Sequence, residues 1–279
     1  MVQFSNKTYV VTKILTKKMD KCKLCKTNVA DKMNSHIIPK FMCQRLFEDA
    51  IPRHSIEINS KGKSKKIQDS PKENNIFCTS CEKRMGILET YFSKKIIDIH
   101  NFSNVKDRID LETISNQKHL VCKNIKPTMF KLFIYSLVWR SSISKLNEFE
   151  KYHIDDKVEE ELRVFLNDNL KTTHKELLEN IENNIKYPSY HFCLIKPIAR
   201  NKQSRGIFTA FNSGEKAHLL MLIDFAVFFY TDEKSIGSTL KYYSNKQNEK
   251  VIIATGDIEK WTELNRMIVQ KMLNKKNSM

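Results

Sequence analysis

The chain has 279 residues, enough for one large domain or two of ordinary size. Hydrophobic residues make up 41% of it, so it can bury a core, and six glycines and six prolines exclude collagen-like and low-complexity chains. The 48 Lys and Arg outnumber the 32 Asp and Glu and give a net charge of +16, which predicts a polyanionic partner, nucleic acid before an anionic membrane surface.

The apolar segments predict a chain that does not enter a membrane. The longest, Leu219 to Tyr230, has 12 residues and contains Asp224, whereas a spanning helix needs about 20 residues. The N-terminal residues include no apolar segment of the kind found in signal peptides. We therefore expect a soluble, cytoplasmic protein without a membrane partner.

The first third of the chain predicts a strand, a basic loop and a helix. The β-branched residues between Thr8 and Leu15 favour a strand within residues 1–18, and residues 59–66 form a polar run typical of an exposed loop. The helix is predicted over residues 82–100 because its apolar residues recur at helical spacing. These residues are Met85, Leu88, Phe92, Ile96 and Ile99.

The middle of the chain predicts helices. From Pro127 to about Asn184 the apolar residues keep a helical period, and Asp155 and Asp156 are typical of a helix start. The pair Trp139-Arg140 ends one apolar face, which predicts a buried tryptophan beside an exposed arginine.

After Pro188 the pattern changes to strands. Runs at 191–195, 206–211, 217–230 and 251–254 are rich in β-branched and aromatic residues, which favours a small, mostly antiparallel sheet, and residues 257–275 form an amphipathic helix. The fold class is therefore α+β. We divide it into a cysteine-containing lobe (residues 1–100), a helical region (101–186) and a C-terminal α/β lobe of unassigned role (187–279), through which a protein partner or a second copy could bind.

Four of the seven cysteines form two C-x-x-C pairs, Cys22 with Cys25 and Cys78 with Cys81. In a cytoplasmic chain this spacing favours a structural zinc site, because each pair can direct two thiolates to one tetrahedral ion. The 52 residues between the pairs exceed ordinary zinc-ribbon spacing, so we expect an insertion to loop out between them. The alternative is that one pair has a redox role or that both pairs are incidental.

Between the two pairs, the motifs resemble those of the HNH, or His-Me finger, nuclease family. The stretch Ser35-His36-Ile37-Ile38-Pro39 follows the first pair, Asn74 and Asn75 precede the second, and Glu82 follows its last cysteine. This order is similar to that of a divergent bacterial group of the family, and it covers residues 20–95. The resemblance implies a zinc-stapled ββα-metal lobe and metal-dependent hydrolysis of phosphodiester bonds in DNA or RNA, with a role in antiviral defence as an extension.

The resemblance also implies residue roles. His36 would be the general base, Asn75 (or Asn74) an orienting residue, and Glu82 a ligand of a catalytic Mg²⁺ or other divalent cation. The family has an acid or histidine where this chain has Ser35, and a histidine where it has Glu82. A carboxylate suits Mg²⁺, but a serine hydroxyl is a weak ligand; Asp31 or Glu89 could supply the missing oxygen.

Basic residues around these motifs are candidates for phosphate contacts, which give affinity without sequence specificity. They are Lys40, Arg45, Lys61, Lys63, Lys65, Lys66, Lys83 and Arg84.

Two other interpretations of the lobe and of His36 are consistent with the sequence. The lobe could be a zinc-dependent nucleic-acid-binding or adaptor module with a lapsed active site, and His36 could be a packed core residue.

Overall fold

A computed structural model of the protein describes residues 20–43, 55–58, 64–114, 116–182, 188–198, 207–245 and 250–274, with the backbone alone at 55–58, 64, 239 and 271–274. The strand predicted within residues 1–18 and three predicted phosphate contacts (Arg45, Lys61 and Lys63) lie outside these ranges. The described chain is a mixed α+β structure, which confirms the predicted class.

The N-terminal lobe consists of short strands around one long helix. Strand β1 (Ser35–His36) is followed by helix α1 (Lys40–Cys43), the antiparallel hairpin β2 (Ser55–Ile58) and β3 (Ser64–Ile67), and strand β4 (Lys72–Glu73). Strands β1 and β4 pair antiparallel, with Ser35 opposite Glu73 and His36 opposite Lys72. Helix α2 (Thr79–His100) follows β4, so the paired strands β1 and β4 both precede the long helix, with α1 and the β2–β3 hairpin between them.

The apolar residues of α2 lie where the sequence predicts them. Its inner face consists of Met85, Leu88, Phe92, Ile96 and Ile99, all buried, and the helix begins at the second cysteine pair. The ring of Phe92 stacks on that of Phe133 in the next helix, with centroids 4.2 Å apart. This face therefore attaches the lobe to the rest of the protein.

Helix α3 (Pro127–Ile143) is buried on all sides, and Pro127 occupies its first turn, where a missing backbone N–H does no harm. Helices α4 (Asp156–Asn169) and α5 (His174–Glu182) pack nearby. The side chain of Asp155 accepts a hydrogen bond from the Lys157 N–H and caps α4, as predicted.

A seven-stranded sheet forms the other half of the protein. Its strands are β5 (Ile109–Ile114), β6 (Gln117–Cys122), β7 (His191–Ile198), β8 (Phe208–Asn212), β9 (Ala217–Leu222), β10 (Ala226–Tyr230) and β11 (Val251–Asp257). Their spatial order is β5-β6-β11-β7-β10-β9-β8, and every neighbouring pair is antiparallel except β11 with β7. Helix α6 (Ser238–Tyr242) precedes β11, and the terminal helix α7 (Ile258–Asn274) follows it, as predicted.

Two features of the sheet differ from the sequence prediction. The region 101–186 is not only helical, because it contributes β5 and β6. Each of these strands is six residues long, and its pairing with the neighbouring strand outweighs the weak strand preference of the local sequence. The run 217–230 is two strands, because the chain reverses at Ile223, whose φ is +65°.

One buried cluster extends from Cys22 to Ile253 and includes residues of all three predicted regions. The lobe that contains the cysteine pairs is therefore packed on the helices and the sheet. None of the helices in the described ranges combines the length and the apolarity that crossing a bilayer requires.

Candidate functional site

The two cysteine pairs come together at the start of α2. The first pair lies in a turn in which the Lys26 N–H donates to the Cys22 carbonyl at 2.9 Å. The second pair begins the helix, and the Cys81 N–H donates to the Cys78 sulfur at 3.4 Å. All four sulfur atoms lie within 4.8 Å of one another, so they could hold one metal ion. We call Cys22, Cys25, Cys78 and Cys81 the thiol cluster.

Backbone hydrogen bonds hold the two pairs in place. The Lys23 N–H donates to the Ile76 carbonyl at 2.8 Å, and the Lys32 N–H donates to the Phe77 carbonyl at 3.0 Å. The carboxylate of Asp31 accepts from the Thr79 N–H at 2.8 Å and so caps α2. The structure therefore brings together two stretches that are distant along the chain, and it uses Asp31 for the helix start.

The contact between Cys22 and Cys81 favours negative charge on the Cys22 sulfur and raises the pKa of the Cys81 thiol. A hydrogen bond with the Cys81 thiol lowers the pKa of Cys22 to about 4. The Asn28 amide donates to the Cys78 sulfur at 3.6 Å, and Arg84 approaches the Cys81 sulfur at 3.9 Å. Thiolates are the form in which cysteine binds metals.

His36 lies on β1, half-buried beside β4. Its Nδ1 is 2.7 Å from the Ser70 hydroxyl, which in turn lies 3.4 Å from the Asp69 carboxylate. Burial and the positive charge of Lys72 hold the pKa of the imidazole below its usual value of 6.5. The ring is therefore neutral at pH 7, the state in which it can accept a proton.

Glu82 lies in the first turn of α2, next to Ser35. The Ser35 side chain is fully buried. Its hydroxyl forms no well-aligned hydrogen bond within the described ranges, but it lies close enough to the Glu82 carboxyl to lower the pKa of that group. Burial outweighs this effect and raises the pKa of Glu82 overall. Glu89 and Arg140 both act electrostatically on His36 and on Glu82, so the predicted base and the predicted cation ligand share one environment.

Arg140 is the residue of this environment that sequence analysis misses. It is 2% exposed, so the predicted exposed arginine is wrong, and its Nη1 donates to the Glu89 carboxylate at 2.6 Å and to the His36 carbonyl at 3.1 Å. The contact joins residues 104 positions apart. A buried arginine requires a counter-charge, but nothing local in the sequence indicates which carboxylate supplies it.

The predicted asparagines lie in the turn before the second cysteine pair. The Asn74 side chain accepts from the Asn34 N–H at 2.7 Å, and Asn75 has a positive φ of 57° with its N–H bonded to the Lys32 carbonyl at 2.9 Å. Both side chains are exposed. In the described structure the ring of His36 contacts Ser70 instead, so an orienting role for Asn75 stays a prediction.

The described basic candidates differ in their surroundings. Lys40, Lys65, Lys66 and Lys83 are exposed, as a phosphate contact requires. Arg84 is directed towards α4 and donates to the Leu170 carbonyl at 3.0 Å.

An open cavity of about 380 Å³ lies beside the His36–Ser70 contact. Three lysines line it (Lys65, Lys72 and Lys145), together with Asp69, Ser70 and Glu148. Lys72 forms an ion pair with Asp69, the carboxylate that faces Ser70. The cavity therefore combines positive charge with access to the surroundings of His36.

The thiol cluster is the only group of three or more Cys, His, Asp or Glu side chains near enough to share a metal ion within the described ranges. Glu82 and Ser35 belong to no such group, and two oxygens alone would suit Mg²⁺ only if water or a phosphate completed its shell. Cys43, which lies in α1 near His36, is buried, and burial raises its pKa to about 12, so it is no nucleophile.

Comparisons of the chain with protein-family models, with curated proteins and with solved structures each found no match.

Proposed function

We propose that the thiol cluster binds structural Zn²⁺. Four sulfur ligands in a compact group suit zinc, which prefers tetrahedral thiolate coordination in closed sites. The ion would link the turn at Cys22 to the start of α2 and reinforce the hydrogen bonds that Lys23, Asn28 and Asp31 form between these two segments. Zinc would therefore stabilise the scaffold that carries His36 and Glu82.

We further propose that the protein is a metal-dependent HNH-like endonuclease that hydrolyses phosphodiester bonds in DNA, or else in RNA. The observation that supports this most is the order of the lobe: an antiparallel strand pair carrying Ser35 and His36, then a helix carrying Glu82, fixed by the thiol cluster. This order agrees with the motifs of the nuclease family that the sequence resembles.

The contacts of His36 suit a general base. We assign the tautomer in which the Ser70 hydroxyl donates to Asp69 and its oxygen accepts from the Nδ1–H of the imidazole, which leaves the lone pair on Nε2. In this tautomer Nε2 accepts a proton from water that attacks the phosphate. Asp69 and Ser70 thus hold the ring in the state that the reaction needs.

Glu82, with Ser35, would hold the catalytic cation, Mg²⁺ or another divalent ion. When bound, such a cation stabilises negative charge on the phosphate and the leaving oxygen. The carboxylate of Glu82 is a suitable ligand because it lies in the first turn of α2, is only partly buried, and is not paired with Arg140 as Glu89 is.

The substrate class follows from charge. The net charge of +16, together with the exposed lysines Lys65 and Lys145 that line the cavity, favours a polyanion, and we favour DNA. A cytoplasmic location and a role in bacterial defence against phage DNA are further proposals that rest on the family resemblance.

A plasmid-nicking assay tests the proposed activity. Purified zinc-loaded protein should convert supercoiled plasmid to the nicked form with Mg²⁺ or Mn²⁺ and stop in EDTA. His36→Ala should lose this activity, because no group replaces the base, whereas His153→Ala, which changes an exposed histidine distant in sequence from the lobe, should keep it. Cutting that survives in His36→Ala would contradict the proposal.

A second candidate is a zinc-dependent nucleic-acid-binding module without activity. The observation that favours it is that Arg140 pairs with Glu89 and leaves the candidate cation only Glu82 and Ser35 as described ligands. Binding of DNA without cutting in Mg²⁺ and in Mn²⁺ would support this candidate over the nuclease.

A further inference from the structure

Arg140 joins three elements at the candidate site. It lies in the last turn of α3, and its Nη1 reaches Glu89 on α2 and the carbonyl of His36 on β1. Its Nε also donates to the Ser136 carbonyl at 3.3 Å, while Nη2 is buried and has no hydrogen-bond partner among the described residues. The guanidinium is thus fixed mainly by Glu89 and by β1.

A buried charge of this kind restricts its partner. The side chain of Arg140 is 2% exposed and that of Glu89 is 25% exposed, so neither can leave the pair without placing a charge in a poorly solvated position. Glu89 therefore stays paired with Arg140 in the free protein.

This ion pair reduces the number of carboxylates that could bind the candidate cation. Asp31 caps α2, and Glu89 is paired with Arg140, so both residues that could have replaced the missing acid at Ser35 have other roles. Glu73, opposite Ser35 on β4, accepts hydrogen bonds from the Ser144 hydroxyl and the Lys145 N–H. Among the described residues, Glu82 is then the carboxylate near Ser35 that remains for the cation. Mg²⁺ commonly binds through one or two carboxylates and completes its shell with water and substrate phosphate.

We propose that Arg140 is a positioning residue of the candidate nuclease site: it holds Glu89 out of the cation site and fixes the His36 strand, so that the cation binds through Glu82 and is completed by the substrate phosphate. The inference rests on the proposed function, since it assumes that Glu82 holds a cation. It predicts that the free protein binds the cation weakly and that nucleic acid strengthens this binding.

The test measures Mn²⁺ binding to the full zinc-loaded chain by electron paramagnetic resonance, with and without a phosphorothioate oligonucleotide that resists cleavage. For the wild type, the oligonucleotide should tighten Mn²⁺ binding on the order of tenfold, within the range typical of changes around a metal site. Glu82→Gln should abolish this gain. The double variant Arg140→Met with Glu89→Gln removes the ion pair as a unit and leaves no buried charge unpaired, so it should leave Mn²⁺ affinity unchanged if Glu89 is not a ligand.

Replacing Arg140 tests the same claim by releasing Glu89 from its ion pair. Arg140→Met should free Glu89 and tighten Mn²⁺ binding to the free protein on the order of tenfold. The double variant Arg140→Met with Glu89→Gln should return to the wild-type affinity. Arg140→Lys keeps the charge and should stay close to the wild type. Zinc content and circular dichroism verify that each variant is folded, and the double variant decides the question if Arg140→Met does not fold.

Several outcomes would overturn the inference. Weaker Mn²⁺ binding in the double variant Arg140→Met with Glu89→Gln than in the wild type would make Glu89 a ligand. Tight binding to the free wild type would remove the need for a substrate phosphate. In both cases nicking activity could persist, so the proposed nuclease would survive. If Glu82→Gln had no effect, or if Mn²⁺ failed to bind even with the oligonucleotide, the cation site itself would be wrong, and the nicking assay would then show whether the nuclease proposal fails with it.

Discussion

Acid should destabilise the sheet through His218, which lies on β9 and is 2% exposed. Its Nδ1 is 2.9 Å from the Asn212 side-chain oxygen, and its Nε2 is buried without a hydrogen-bond partner in the described part of the chain. The rings of Tyr152 and Phe229 lie within 6.2 Å of the imidazole. Protonation would place a charged N–H in an apolar environment with no acceptor.

The direction of the effect follows from the pKa. Burial lowers the pKa of His218 from 6.5 to about 4, so between these values the unfolded chain binds a proton that the folded chain does not. Stability is therefore complete above pH 6.5 and falls as the pH approaches 4. At about 1.4 kcal/mol for each pH unit, the loss between pH 7 and pH 4.5 is about 2 kcal/mol.

Urea unfolding at pH 7 and at pH 4.5 measures this loss. The wild type should lose about 2 kcal/mol more than His218→Gln does over this range, and His153→Gln, at an exposed position, should behave like the wild type. Loss of metal from the thiol cluster in acid affects all three proteins equally, so it cancels in the comparison. Equal pH dependence in the wild type and His218→Gln would refute the reasoning.

Three further predictions concern other parts of the structure. Cys81→Ser should remove the bound metal and lower the melting temperature, whereas Cys193→Ala, which changes a buried thiol on β7, should keep one metal per chain by elemental analysis. Tyr152→Phe should raise the free energy of unfolding by about 1 kcal/mol, because the buried hydroxyl has no partner among the described residues; a decrease would contradict this. Lys72→Ala should weaken binding to single- and double-stranded DNA. The slope of log K against log salt concentration should fall by about one, because one phosphate contact is lost. An unchanged slope would place Lys72 outside the contact surface.

The parts of the fold that follow a regular pattern could be predicted from the sequence. The inner face of α2 and the cap at Asp155 depend on residues a few positions apart, and such patterns are visible locally. Strands β5 and β6 could not be predicted in the same way, because β6 is held partly by β11, more than 100 residues later.

The same distinction between local patterns and long-range contacts applies to the candidate site. The C-x-x-C spacing predicts the thiol cluster because each pair is local, and the structure brings the two pairs together. The partner of Glu89 could not be predicted, since Arg140 is 51 residues away and its burial depends on packing of α3 against α2. Likewise, Ser70 is 34 residues from His36, and only the pairing of β1 with β4 makes it a neighbour of the ring.

Chemical rescue of His36→Ala tests most directly whether the imidazole on β1 is the base of a nuclease. The rate of plasmid nicking by this variant is measured with Mg²⁺ at increasing concentrations of free imidazole, with Glu82→Gln as the matched control. We predict that imidazole restores nicking in His36→Ala in proportion to its neutral form and has no effect on Glu82→Gln. Nicking by His36→Ala at the wild-type rate without imidazole, or a wild type that never cuts, would contradict the assignment.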